Sequence, residues 1–189
     1  MSAPTRSASP PTDAAFHNAW MRPCIELAKT AAHEGQYPLG ALVLSRDGKV
    51  LGAAGSTLRT SIDPAAHPEL TALRTACDQV RSRYLDGAVL YTTLEPCPMC
   101  TAAAVFARLA GIVFGASQQD ALEAAPLHPH PDLTWRQIAV PAATVAAAER
   151  PVPLDRDPVH VTGGVLAGPC RALLALAARL YAAPGQLPG

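Results

Sequence analysis

Cys97 and Cys100 stand three residues apart in the run Pro96-Cys97-Pro98-Met99-Cys100. On the first turn of a helix, that spacing puts both sulfurs on one side. Pro98 suits the first helical position, which makes Cys97 the cap residue. Thiolates there face the positive end of the helix dipole, which lowers the cost of the anion. By itself such a pair serves a metal or a redox couple equally well. Thirty residues before Cys97, His67-Pro68-Glu69 opens a second helix. A residue ahead of proline is driven out of the α region, so His67 is expected to be extended and to cap that helix, with Pro68 first and Glu69 second. Taken alone, Glu69 is a carboxylate favoured by the helix dipole and His67 is an ordinary histidine. Taken with the cysteine pair, they become two helix starts that can meet over one metal ion.

One His and two Cys make three protein ligands. A tetrahedral zinc bound this way keeps its fourth position for water, whereas a structural site is normally closed by four protein ligands. Two thiolates cancel the charge of the ion, so ionising that water needs help from the helix N-termini and from a carboxylate able to take the proton. Glu69 is two residues from a ligand and can reach the water without coordinating the metal.

The elements that must position these groups follow from periodicity and punctuation. A helix is expected over Asn18–Ala32, starting late because Pro23 is tolerable only near a first turn, and ending at Gly35. Ala41–Ser45 and Val50–Ala54 flank Asp47-Gly48, a two-residue hairpin signal. A loop, Gly55–Ala66, leads into a helix reaching about Tyr84. Ala88–Leu94 reads as a strand buried on both faces. A helix over Pro98–Ala110 stops at Gly111, and Ile112–Gly115 is a fourth strand. The order α, β, β, α, β, α, β implies a mixed sheet with helices on its faces. Residues 124–158 carry seven prolines and read as a long surface loop with one strand near Gln137–Val140. A Leu/Ala-rich helix over Pro169–Ala182 comes last. The domain is expected to span residues 13–183, with a disordered tail over 1–12 and a flexible stretch over 184–189.

With 189 residues, 49% hydrophobic and 16% charged, the chain suits one folded domain with a real core. Its net charge of +0 removes the cheapest argument for a nucleic-acid partner, which a basic face would provide. The first residues lack the apolar stretch of a secretory signal, and no run approaches the roughly 18 apolar residues of a membrane span. Five cysteines, an odd number that includes a Cys-x-x-Cys pair, favour metal or catalysis over a disulfide framework in a reducing compartment. The expected location is the cytoplasm. Cys24, Cys77 and Cys170 read as packed small hydrophobes on helix faces. His17, His33 and His160 read as surface groups, and Trp135 as a cover for the pocket or an anchor for the long loop.

His-x-Glu followed by Pro-Cys-x-x-Cys is the signature of the zinc deaminases. The stretch DPAAHPEL…VLYTTLEPCPMCTAAAVFARLAGIVFG resembles the branch of the cytidine-deaminase-like superfamily that contains guanine deaminases and tRNA adenosine deaminases. The resemblance covers roughly Trp20 to Phe114. It implies an α/β fold of three α/β/α layers with a mixed, about five-stranded central sheet, a homodimer, and hydrolytic loss of ammonia from a base. It also implies Zn²⁺ on His67, Cys97 and Cys100, with Glu69 protonating a ring nitrogen and then the leaving amine.

The chain departs from that family in three places. Pro68 replaces the usual Ala between His and Glu. The base-binding Asn eleven residues before the His falls on Ser56. After the fourth strand, where the tRNA enzymes are basic and Gly-rich, the run is ASQQDALEAAP. His128 and Asp132 are the nearest polar candidates for the substrate-reading group that the guanine enzymes place in this region. The expected substrate is therefore a small free nucleobase or nucleoside, most of all a purine such as guanine, with no membrane partner. The alternatives are a pyrimidine base or nucleoside deaminase (a specialised biosynthetic one included), a tRNA adenosine deaminase, and a zinc-stabilised binding module without turnover.

Overall fold

The computed structural model describes residues 13–127, 138–148 and 157–181. In chain order the elements are α1 (Ala14–His33), β1 (Gly40–Leu44), β2 (Val50–Gly55), α2 (Leu58–Ser61), α3 (Pro68–Val80), β3 (Val89–Leu94), α4 (Pro98–Phe106), β4 (Gly111–Ala116), α5 (Gln118–Leu127), α6 (Ala142–Ala147), β5 (His160–Thr162) and α7 (Ala167–Tyr181). The strands form one five-stranded mixed sheet in the order β2-β1-β3-β4-β5. β1 is antiparallel to both β2 and β3, while β3, β4 and β5 run parallel.

Every residue of β1 and β3 is buried, as expected of central strands covered on both faces. One face packs Leu90, Ile112 and Val43 against α3, α4 and α6 through Leu70, Leu73, Ala104 and Ala146. The other packs Leu42, Tyr91 and Val113 against α1 and α7 through Met21, Cys24, Cys170 and Leu173. Two glycines set how closely helices approach. A Cβ on Gly52 would collide with the backbone carbonyl of Ala72 in α3, and one on Gly115 with the Cys170 sulfur of α7. The first of these contacts seats the helix that begins at His67.

Several sequence expectations change in detail. α1 starts at Ala14, not Asn18, because the Asp13 carboxylate accepts from Ala15 N at 3.0 Å and caps the helix. Pro23 therefore lies inside α1 and removes a single ladder donor. The hairpin connection is longer than two residues: Ser45 N donates to Lys49 O, and Gly48 takes a φ of +80° with a register shift beside it. α3 ends at Val80, short of Tyr84, on the left-handed Arg81. α4 ends at Phe106, four residues before Ala110.

The segment read as a long loop, 124–158, holds the last turn of α5 and the whole of α6, and residues 138–140 are irregular rather than a strand. β5 supplies the fifth strand instead, pairing Gly111 with His160. His17 is buried, with Nδ1 2.9 Å from the Tyr91 hydroxyl, and is not a surface group. His33 and His160 are exposed as expected, and Cys24 and Cys170 are packed in the core. His128, Asp132, Trp135 and the segments 1–12 and 184–189 lie outside the described residues. Among the described residues, no helix is long and apolar enough to cross a membrane.

Candidate active site

β1 and β3 are antiparallel, and so are β1 and β2. The entry to β1, the exit of β2 and the exit of β3 therefore share one end of the sheet. α3 and α4 both begin at that end. His67 caps α3 at φ −69° and ψ 141°, and Cys97 caps α4 at φ −64° and ψ 167°. Each is followed by proline at the first helical position, and neither uses its side chain to cap its helix. Both cap side chains are thus left available to point at each other.

The three donor atoms converge. Cys97 Sγ and Cys100 Sγ are 3.6 Å apart, and His67 Nδ1 lies 3.5 Å from Cys100 Sγ and 3.8 Å from Cys97 Sγ. Tetrahedral zinc at ordinary bond lengths would separate two sulfurs by about 3.8 Å and a sulfur from a nitrogen by about 3.6 Å. These separations fit that ion without rearrangement, and among the described residues this is the group able to hold one. His67 presents Nδ1 to both sulfurs, an assignment the sequence does not contain.

Glu69 is 4% exposed. Its Oε1 accepts from Thr92 Oγ1 at 2.7 Å, and its Oε2 lies 3.6 Å from Cys100 Sγ. One oxygen is thus anchored to the sheet while the other faces the donor triad. Burial raises the Glu69 pKa, opposed by the Thr92 bond and the nearby His67. The Cys97 thiol is lowered to about 4, mainly by its contact with Cys100 and further by His67. Cys100 is raised, first by the adjoining Cys97 and then by burial. His67 is raised through its contact with Cys97.

A cavity of about 380 Å³ opens on this group, lined among others by Tyr37, Leu39, Ser56, Ile62, Asp63 and Leu94. Ser56, the position where the resembling family carries Asn, is buried in its wall. Ile62 sits at the rim, 92% exposed and at φ +51°, a conformation that costs a β-branched residue energy and recurs where function holds strain.

Thr92 and Glu95 escaped the sequence reading. Thr92 alternates with buried apolar residues along a strand, so only its register opposite α3 reveals its partner. Glu95 lies two residues before Cys97, and its two oxygens accept from Gln118 N at 3.1 Å and Ala142 N at 2.9 Å. Its position next to a ligand was the available signal.

Residues 16–133 match the MafB19-like deaminase family. A guanine deaminase of Bacillus subtilis is 37% identical over 109 residues, which are 57% of this chain and 69% of that protein. A tRNA-specific adenosine deaminase of Aquifex aeolicus is 35% identical over 97 residues, 51% of this chain and 64% of that one. A tRNA(Ile)-lysidine synthase of Deinococcus deserti is 44% identical over 101 residues, which are 53% of this chain and only 19% of that much longer relative. Among solved structures, one from work on A-to-I editing by tRNA:A34 deaminases at the wobble position of transfer RNA aligns with a TM-score of 0.63. It is 28% identical, over 82% of this chain and 98% of that one.

Proposed function

The chain belongs to the MafB19-like deaminase family, and from that premise we propose that it hydrolytically deaminates a small free base or nucleoside, a guanine-like purine above all. The charge of the cavity carries this reading. Asp63, Glu69 and Glu95 line it, and no Lys or Arg does among the described residues. A phosphodiester would meet like charge there, whereas nucleic-acid affinity draws on clustered cations. An uncharged heterocycle with N–H donors would meet acceptors. A cavity of about 380 Å³ also falls in the range that takes a small ligand.

In this reading His67, Cys97 and Cys100 hold zinc. The ion, when bound, supplies Lewis acidity and a water nucleophile at neutral pH. The chain's own residues do the rest. Ser56 and the apolar wall of Leu39 and Leu94 seat the base with its amino-bearing carbon over the triad. Glu69 accepts one proton of the attacking water at Oε2 and delivers it to a ring nitrogen. It then takes the remaining proton from the hydroxyl added to the carbon and passes it to the departing amine. Water replaces the amino group with a carbonyl oxygen, and ammonia leaves. Thr92 keeps the Glu69 carboxylate aimed throughout by holding Oε1.

The proposal extends to one catalytic domain over residues 13–183 and to a cytoplasmic location, which five free cysteines support. Substrate contacts from His128 and Asp132 also belong to it. A homodimer would use the outer face of α4, where Met99 and Phe106 are exposed; a monomeric mass in solution would refute it. The second reading, adenosine within tRNA, is favoured by the alignment that takes in 98% of a tRNA:A34 deaminase structure.

An ammonia-release assay across guanine, guanosine, cytosine, cytidine, adenine and adenosine tests the choice of base. Release from guanine with none from cytosine is expected. The reverse result would refute the purine assignment.

A further inference from the structure

We propose that Gln118 is a positioning residue for the corner that carries Cys97, acting with Glu95 as a clasp between that corner and the segment 140–142. The inference rests on the zinc reading above; Glu95 and Gln118 lie within residues 16–133 of the family match, and the segment 140–142 that they hold lies beyond it.

Gln118 opens α5 and is 5% exposed. Its amide nitrogen donates to Pro96 O at 3.3 Å and to Val140 O at 3.2 Å. Both partners are carbonyl oxygens, so only the nitrogen end of the amide can face them, and both of its hydrogens are used. Glu95 completes the clasp. One carboxylate oxygen accepts from Gln118 N and the other from Ala142 N, the first residue of α6. Glu95 N in turn donates to Ala116 O at 2.7 Å. Three helix starts, those of α4, α5 and α6, are thereby tied to the two residues that precede Cys97.

The clasp bears on metal binding because Cys97 is a cap residue. Its sulfur is placed by the Pro96–Cys97 backbone, since its side chain makes no cap bond of its own. From within α4, the Thr101 hydroxyl grips the same corner, lying 3.2 Å from Pro96 O and 3.1 Å from Cys97 O. From outside, Gln118 holds Pro96 O. Releasing one of these two grips lets the peptide rock and carries Cys97 Sγ away from His67 Nδ1 and Cys100 Sγ. Partners that orient ligands in this way typically matter ten- to a hundredfold in metal affinity.

The test compares zinc dissociation constants, measured by chelator competition, for the wild-type protein, Gln118→Met and Gln118→Glu. Met keeps the length of the side chain without a donor. Glu keeps its shape but sets an acceptor against two acceptors. Each should weaken zinc binding about tenfold or more, with KM for the small base unchanged and kcat reduced, since Gln118 does not line the cavity. If the Gln118 variants fail to fold, Ala142→Pro removes the N–H that Glu95 accepts, at a helix position whose backbone suits proline though the ring adds atoms at a buried site, and should weaken zinc in the same direction. Wild-type zinc affinity in the folded Gln118 variants, or in Ala142→Pro when those do not fold, overturns the clasp. A wild-type protein that binds no zinc removes the metal reading itself and the clasp with it, so the two failures are told apart by the wild-type arm.

Discussion

Glu69→Gln is expected to lose at least about a hundredfold in turnover while keeping its zinc and its fold; positioned acid–base groups typically contribute 10²–10⁴-fold. The amide can neither take the proton at Oε2 nor return it to the leaving amine. It can still accept the Thr92 hydroxyl through its carbonyl oxygen, so the position keeps its anchor. Stability should hold or improve. Glu69 is 4% exposed, an ionised carboxylate at such a depth is unfavourable, and the neutral amide removes that cost. The check is kcat for ammonia release beside metal content and melting temperature. A variant retaining more than a hundredth of the wild-type rate would remove the proton-shuttle role.

The second large effect is on the metal. Wild-type protein should carry about one zinc per chain, and dialysis against a chelator should abolish turnover. Cys97→Ala should lose zinc, activity and stability together. Two donors remain in that variant, His67 Nδ1 and Cys100 Sγ at 3.5 Å, too few to close even a three-ligand site. An ion that binds only the folded state at a hundred times its dissociation constant contributes about 2.7 kcal/mol. The wild-type melting temperature should therefore fall on adding chelator, whereas Cys97→Ala should melt low and stay unmoved by it. Metal analysis without zinc, or full activity after chelator dialysis, would sink the assignment.

The site was legible in the sequence where its geometry is local. His67-Pro68 and Cys97-Pro98 announce two capped helices, and proline fixes both the extended cap and the helical residue after it. The meeting of those caps was inferred from chemistry and is met by donor separations of 3.5 to 3.8 Å. The central strands were legible because β3 is continuously apolar or hydroxyl-bearing and buried on both faces.

What escaped depends on contacts far along the chain. Thr92 finds Glu69 across 23 residues, and Glu95 finds Ala142 across 47. His17 reaches Tyr91 across 74, a separation no local pattern encodes. The proline-rich region concealed α6 because Pro141 starts a helix as readily as it ends one. α3 overran in the sequence reading because its terminator is Arg81 in a left-handed conformation where glycine is the usual signal.

The central claim, a zinc site that serves a small base, is met most directly by offering one zinc-loaded preparation two substrates, free guanine and an anticodon stem-loop containing adenosine. Ammonia release from the free base with no inosine formed in the stem-loop is the predicted result. Inosine formation that weakens steeply as salt rises, with the free base left untouched, would contradict it.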